Sequence, residues 1–125
     1  MVTARLSFYD GSVAIVDLGQ EIPYFFCFAD ECLFSCDFEG SCSSVPPFAF
    51  FGCVRLRCVT LPAGVFSICV SAFEGCASLM PVDLKNVKSL GPRCFKGCHG
   101  THPPSNSIYV HHTAFAGATC KTHSV

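Results

Sequence analysis

Val45-Pro46-Pro47-Phe48-Ala49-Phe50-Phe51-Gly52-Cys53 returns, changed but in phase, as Ile68-Cys69-Val70-Ser71-Ala72-Phe73-Glu74-Gly75-Cys76 and again as Leu90-Gly91-Pro92-Arg93-Cys94-Phe95-Lys96-Gly97-Cys98. In all three stretches an apolar residue is followed five positions later by Phe and three later by Cys; the copies start 23 and 22 residues apart. The first two continue through Leu56, Val59, Leu61 and Leu79, Val82, Leu84. A unit this short cannot bury an apolar face alone, so the copies are expected to stack and share one core.

The framework gives each position a role. Val45, Ile68 and Leu90 point inward, Phe50, Phe73 and Phe95 form an aromatic column, and Cys53, Cys76 and Cys98 form a thiol column. The apolar pairs Val59/Leu61 and Val82/Leu84, two residues apart, mark one buried face of a strand. Glycines at 52, 75 and 97 permit a tight turn before the Cys. Each coil therefore reads as strand, turn, a short irregular or helical piece around the Phe, turn and strand.

The spacing extends upstream through Ile22, Cys27, Asp30, Leu33, Cys36 and Phe38, with Cys in the Phe position and Asp in the Cys position. Val13 and Ile15 match the apolar pair of a still earlier strand. Residues 1–21 are expected to form an N-terminal cap, followed by repeats at 22–44, 45–67, 68–89 and 90–110 and a C-terminal tail at 111–125. Ile108-Tyr109-Val110 is expected to supply the closing strand, and Ala114-Phe115-Ala116-Gly117 partly echoes the Phe block.

The pattern of apolar residue, Gly or Pro, two variable positions, Ala-Phe-x-Gly-Cys, two variable, Leu, two variable, Val, x, Leu resembles the BspA-like leucine-rich repeats. The resemblance is closest over 45–98. It implies a β-rich α/β solenoid, a right-handed leucine-rich-repeat superhelix with one short parallel strand per 22–23-residue repeat. It also implies adhesion or protein recognition, commonly at a cell surface.

Composition narrows the function. The 125 residues suit one domain, half of them hydrophobic, with a net charge of −1 and only 14% charged residues. Scattered Lys and Arg do not make the basic patch that nucleic acid or an anionic membrane calls for. The apolar uncharged stretch from Cys58 to Phe73 is too short for a membrane span and contains Pro62 and Gly64. The first residues carry no apolar signal core, and the eleven cysteines look reduced, which points to the cytoplasm where the family resemblance points to the surface. No phosphate-binding loop or nucleophile elbow is present, so neither an enzyme nor a cofactor is expected.

Two binding hypotheses follow. In the first, strand residues between the apolar positions align in columns: Phe34, Ser35 and Asp37; Arg57, Cys58 and Thr60; Met80, Pro81 and Asp83. A stacked sheet displays such residues as one surface. Phe34, Asp37, Arg57, Thr60, Met80 and Asp83 are the candidate partner-binding residues; the bland alternative is an ordinary solvated sheet face. In the second, Cys98, His102, Cys120 and His123, with His99, His111 and His112 nearby, form a small zinc site. The competing claim on Cys98 is the repeat itself. Cys27, Cys32, Cys36 and Cys42 lack both a C-x-x-C pair and a nearby His, so structural thiols are the simpler reading. Exposed ends of a short stack also allow self-association edge to edge.

Overall fold

The structure, a computed structural model, describes residues 1–101 and 109–117. It is built of strands and turns, with no helix among the described residues. The chain opens with a hairpin. β1 (Val2–Phe8) and β2 (Val13–Gly19) run antiparallel, joined where the Asp10 carboxylate accepts hydrogen bonds from the Ser12 amide at 2.8 Å and hydroxyl at 2.6 Å. β3 (Leu33–Gly40) pairs antiparallel with β1, and β5 (Cys58–Thr60) pairs parallel with β3, giving the order β2-β1-β3-β5. The register Cys36↔Val59 is the 23-residue repeat seen in space.

A second sheet is wholly parallel. β4 (Ser44–Val45), β6 (Ser67–Ile68), β7 (Ser89–Leu90) and β8 (Tyr109–Val110) lie in the order β4-β6-β7-β8. Val45 pairs with Ile68, Ile68 with Leu90 and Leu90 with Val110. The first framework position is thus a strand in its own right, and Val110 belongs to that column rather than to the apolar-pair column. Phe115, five residues after Val110, stacks on Phe95 at 5.4 Å. Ile108 lies outside the described residues.

Between the sheets, the segment around each Phe is a run of turns, not a helix. The reason is a division of labour among the amides. Ala49, Phe51 and Cys53 donate to Pro46, Phe48 and Phe50 within their own coil. Phe48, Phe50 and Gly52 donate to Val70, Ala72 and Glu74 of the next coil. Ser71, Phe73 and Gly75 repeat this toward Pro92, Cys94 and Lys96. A helix would take every amide for itself. Two left-handed residues per coil, four apart, fix the alternation: Phe25 and Ala29, Phe48 and Gly52, Ser71 and Gly75, Arg93 and Gly97. A left-handed residue interrupts a helix, and glycine takes that conformation at least cost.

The core runs as one column between the two sheets. Phe50, Phe73 and Phe95 are fully buried and stack face to face at 5.2 and 5.1 Å. Toward the N-terminus Cys27 takes the Phe position, and Phe26 turns in against Phe50 and Phe38 instead. Val2, Ala4 and Leu6 of β1 close the same core. The expectation for Val13 and Ile15 is corrected here. They sit in an antiparallel strand with their side chains outward, and Ala14, Val16 and Leu18 face the core. The hairpin reverses the chain, so the parallel phase does not reach them.

Candidate recognition face

All six candidate residues are exposed: Phe34 and Asp37 on β3, Thr60 on β5 with Arg57 just before it, and Met80 and Asp83 on the strandless coil that follows. They fall into two rows. In the first, the Arg57 amide donates to the Phe34 carbonyl at 2.9 Å and the Met80 amide to the Arg57 carbonyl at 2.7 Å. These backbone bonds fix the three side chains side by side across three coils. The Arg57 guanidinium reaches the Met80 sulfur at 3.7 Å. Phe34 meets Tyr9 edge to face at 5.2 Å, and the Arg55 guanidinium lies over the Tyr9 ring at 4.0 Å. The Tyr9 hydroxyl donates to the Arg55 carbonyl at 2.7 Å. Tyr, Phe, Arg and Met together make the composition enriched at interface centres.

The second row crosses the sheet through Arg5, Asp37, Thr60 and Asp83. Arg5 stands opposite Asp37 in the β1–β3 ladder, and Asp37 opposite Thr60 in the β3–β5 ladder. The Thr60 hydroxyl donates to Asp37 at 2.9 Å, and Asp83 accepts from the Lys85 amide at 3.1 Å. A depression of 250 Å³ is lined by Thr3, Arg5, Ile15, Asp37 and Glu39. A cleft of 320 Å³ opens on the other side, with Thr60, Pro62, Pro81, Asp83 and Asn86 on its walls. The cleft exists because the ladder stops there. Pro81 stands one repeat after Cys58 and has no N–H to give a strand pairing.

Ser35 departs from expectation. The repeat sets it among the outward residues, yet only 9% of it is exposed, because it sits mid-sheet between Ser7 and Cys58. Tyr9, Arg5, Arg55 and Glu39 were missed. Tyr9 and Arg5 come from the hairpin, which carries no repeat phase, and Tyr9 meets Arg55 across 46 residues of chain. Also missed is a quartet on the turn edge, where Phe25 stacks on Phe48 at 5.1 Å and Phe28 on Phe51 at 5.2 Å. Its signal was available: both pairs are 23 residues apart.

The cysteines have a structural place. The ten described cysteines are all free thiols. The Cys53, Cys76 and Cys98 thiols donate to the carbonyls of Cys27, Phe50 and Phe73, at 2.9, 3.1 and 3.1 Å. Burial pushes Cys98 up to about 12, Cys53 up to about 11, and Cys76 well above the usual thiol range. A metal needs the thiolate, which this environment opposes. Among the described residues no group of three or more His, Cys, Asp or Glu could hold a metal ion. His102, Cys120 and His123 of the zinc hypothesis lie outside the described residues. Also among these residues, no helix is long and apolar enough to cross a membrane.

Copies of one strand-and-turn unit, stacked in register and joined by shared hydrogen-bond ladders, define a repeat protein of the leucine-rich class. The sequence model described as BspA type Leucine rich repeat region matches residues 20–125 in six copies, and the chain belongs to that family. Comparison with curated proteins and with solved structures gives no match. The family is generally non-enzymatic and suggests a module for protein interaction or adhesion.

Proposed function

We propose that the chain is a non-catalytic recognition or adhesion module, a right-handed solenoid that binds a protein partner through the outer face of its first sheet. Phe34, Arg57 and Met80 supply the contact area, joined by Tyr9 and Arg55. Asp37, Thr60 and Asp83 supply the polar row that sets register. The observation that carries this reading is the backbone-fixed row Phe34–Arg57–Met80, exposed and continuous across three coils. The backbone bonds hold the three positions at a fixed spacing, so the backbone of the row needs no ordering on binding, which favours affinity. The hairpin of β1 and β2 serves as the N-terminal cap and also adds Tyr9 and Arg5 to the face.

Proximity labelling with the intact chain tests this, set beside a chain carrying Asp37→Ala, Arg57→Ala and Asp83→Ala together. All three residues are exposed, so the melting curve of the triple variant should match that of wild type. Loss of captured proteins with folding intact supports the face. Unchanged capture moves the site elsewhere.

A further inference from the structure

β2 is the outer strand of its sheet and pairs only with β1 among the described residues. It is seven residues long, Val13-Ala14-Ile15-Val16-Asp17-Leu18-Gly19, with one charge and neither lysine nor proline. Natural edge strands are usually guarded by such residues, because an open row of N–H and C=O groups invites pairing. Here the guard is reduced to one bulge at the far end, between Asp17 and Gly19, and the side chains of the open run point the same way. Ile15 is 68% exposed and Val13 48% exposed on the outer face. On the inner face Ala14, Val16 and Leu18 are only partly covered, whereas Val2, Ala4 and Leu6 of the neighbouring strand are buried. The core is unfinished along this edge.

We propose that the edge is completed by a second copy of the chain, β2 against β2, antiparallel about a two-fold axis at Val16. The ladder limits the register. The Phe8 amide donates to the Ser12 carbonyl, so the next pairs bonded to β1 run through Ala14 and Val16. The N–H and C=O groups of Val13, Ile15 and Asp17 therefore face the open side. Centring on Val16 sets Ile15 opposite the second copy's Asp17, twice across the axis, and ends the seam before Gly19, whose amide already donates to the Asp17 carboxylate at 3.0 Å. On the inner face Ala14 meets Leu18, small against large, and Val16 meets its twin. Centring one residue later would set two Asp17 carboxylates opposite each other, which cross-strand pairing disfavours. Each chain has one such edge, so the assembly closes as a dimer. The two four-stranded sheets become one, with both recognition faces on the same side.

Sedimentation of the full chain under reducing conditions, over about 1–100 μM, tests the proposal. Wild type should pass from monomer to dimer, with circular dichroism unchanged. Ile15→Asp puts two carboxylate pairs across the seam and should raise the half-dissociation concentration about tenfold or more. Ile15→Lys places a cation opposite Asp17 and should keep the dimer. Both changes lie on an exposed position, and a melt of each variant confirms folding. A wild type that stays monomeric at the top of the range overturns the proposal and leaves the edge to an extended segment of another protein. A folded Ile15→Lys variant that dissociates as readily as Ile15→Asp overturns the register.

Discussion

Replacing Phe73 by alanine tests the stacking of the repeats more sharply than any surface change. Phe73 is fully buried, and its ring lies parallel to Phe50 on one side and Phe95 on the other. Truncation loses the transfer energy of the ring and leaves a cavity between two rings that cannot close on each other, about 3–5 kcal/mol in sum. Two stacked aromatic contacts place the value near the top of that range. A domain of this size is stable by roughly 5–15 kcal/mol, so the variant should be marginal. At about 3–5 °C per kcal/mol, its melting temperature should fall by roughly 12–25 °C. Urea unfolding followed by circular dichroism, with thiols kept reduced, measures the change. A central break also decouples the coils on either side, so the transition should broaden. A loss below about 1 kcal/mol, with an unbroadened transition, would refute the idea that the Phe column carries the stack.

The left-handed positions give a reciprocal pair. Gly75→Ala should cost about 1–2 kcal/mol because φ is +82°, although no atom comes closer than 3.6 Å to the added Cβ. Ala29→Gly, at the same point of the first coil with φ 55°, should stabilise by about 0.5–1 kcal/mol; both are read from urea midpoints. The buried thiols predict an alkaline limit. Burial holds Cys27, Cys94 and Cys98 up at about 12 and Cys53 at about 11, against an ordinary 9.0. A folded-state value raised above the unfolded one stabilises below the unfolded value and loses that contribution as pH rises through the folded one. Each such thiol then removes about 1.4 kcal/mol per pH unit above pH ~9, so the melting temperature should fall steeply between pH 9 and 11. Flat stability through pH 11 would contradict the burial of this column.

The repeat was legible because stacking forces the same residue type into the same place. Val45, Ile68 and Leu90, and Phe50, Phe73 and Phe95, could be read in register with no structure at hand. The alignment of the candidate row was legible for the same reason, since Phe34, Arg57 and Met80 are one column of that register. What failed lies where the period fails. The hairpin has alternation but no 23-residue partner, so Val13 and Ile15 were placed on the wrong face and Tyr9 was left off the site. The turn segment failed for another reason. A Phe with small neighbours is compatible with a short helix, and only the direction of alternate amides decides against one. Ser35 was misjudged because a mid-sheet position is covered by its neighbouring strands whatever its own polarity.

The direction of the hydrogen bonds also explains the cysteine column. Alternate backbone amides of each turn segment point forward, to carbonyls of the next coil, while the Cys thiols point back. The Phe50 carbonyl accepts from the Cys53 amide at 3.2 Å and from the Cys76 thiol at 3.1 Å, and the Phe73 carbonyl accepts from Cys76 and Cys98 in the same way. Each coil is thus held from both sides, and the residue at this position must be small, apolar enough to bury, and able to donate one weak hydrogen bond. Cysteine meets all three demands. Asp30 occupies the first place in the column, where no earlier coil offers a carbonyl to accept such a bond. Freed from that demand, it is only partly buried and its carboxylate turns to the Cys32 amide at 2.9 Å instead. Among the described coils this one departure from cysteine falls where the reason for cysteine is absent, which places the thiols in the architecture of the stack rather than in its chemistry.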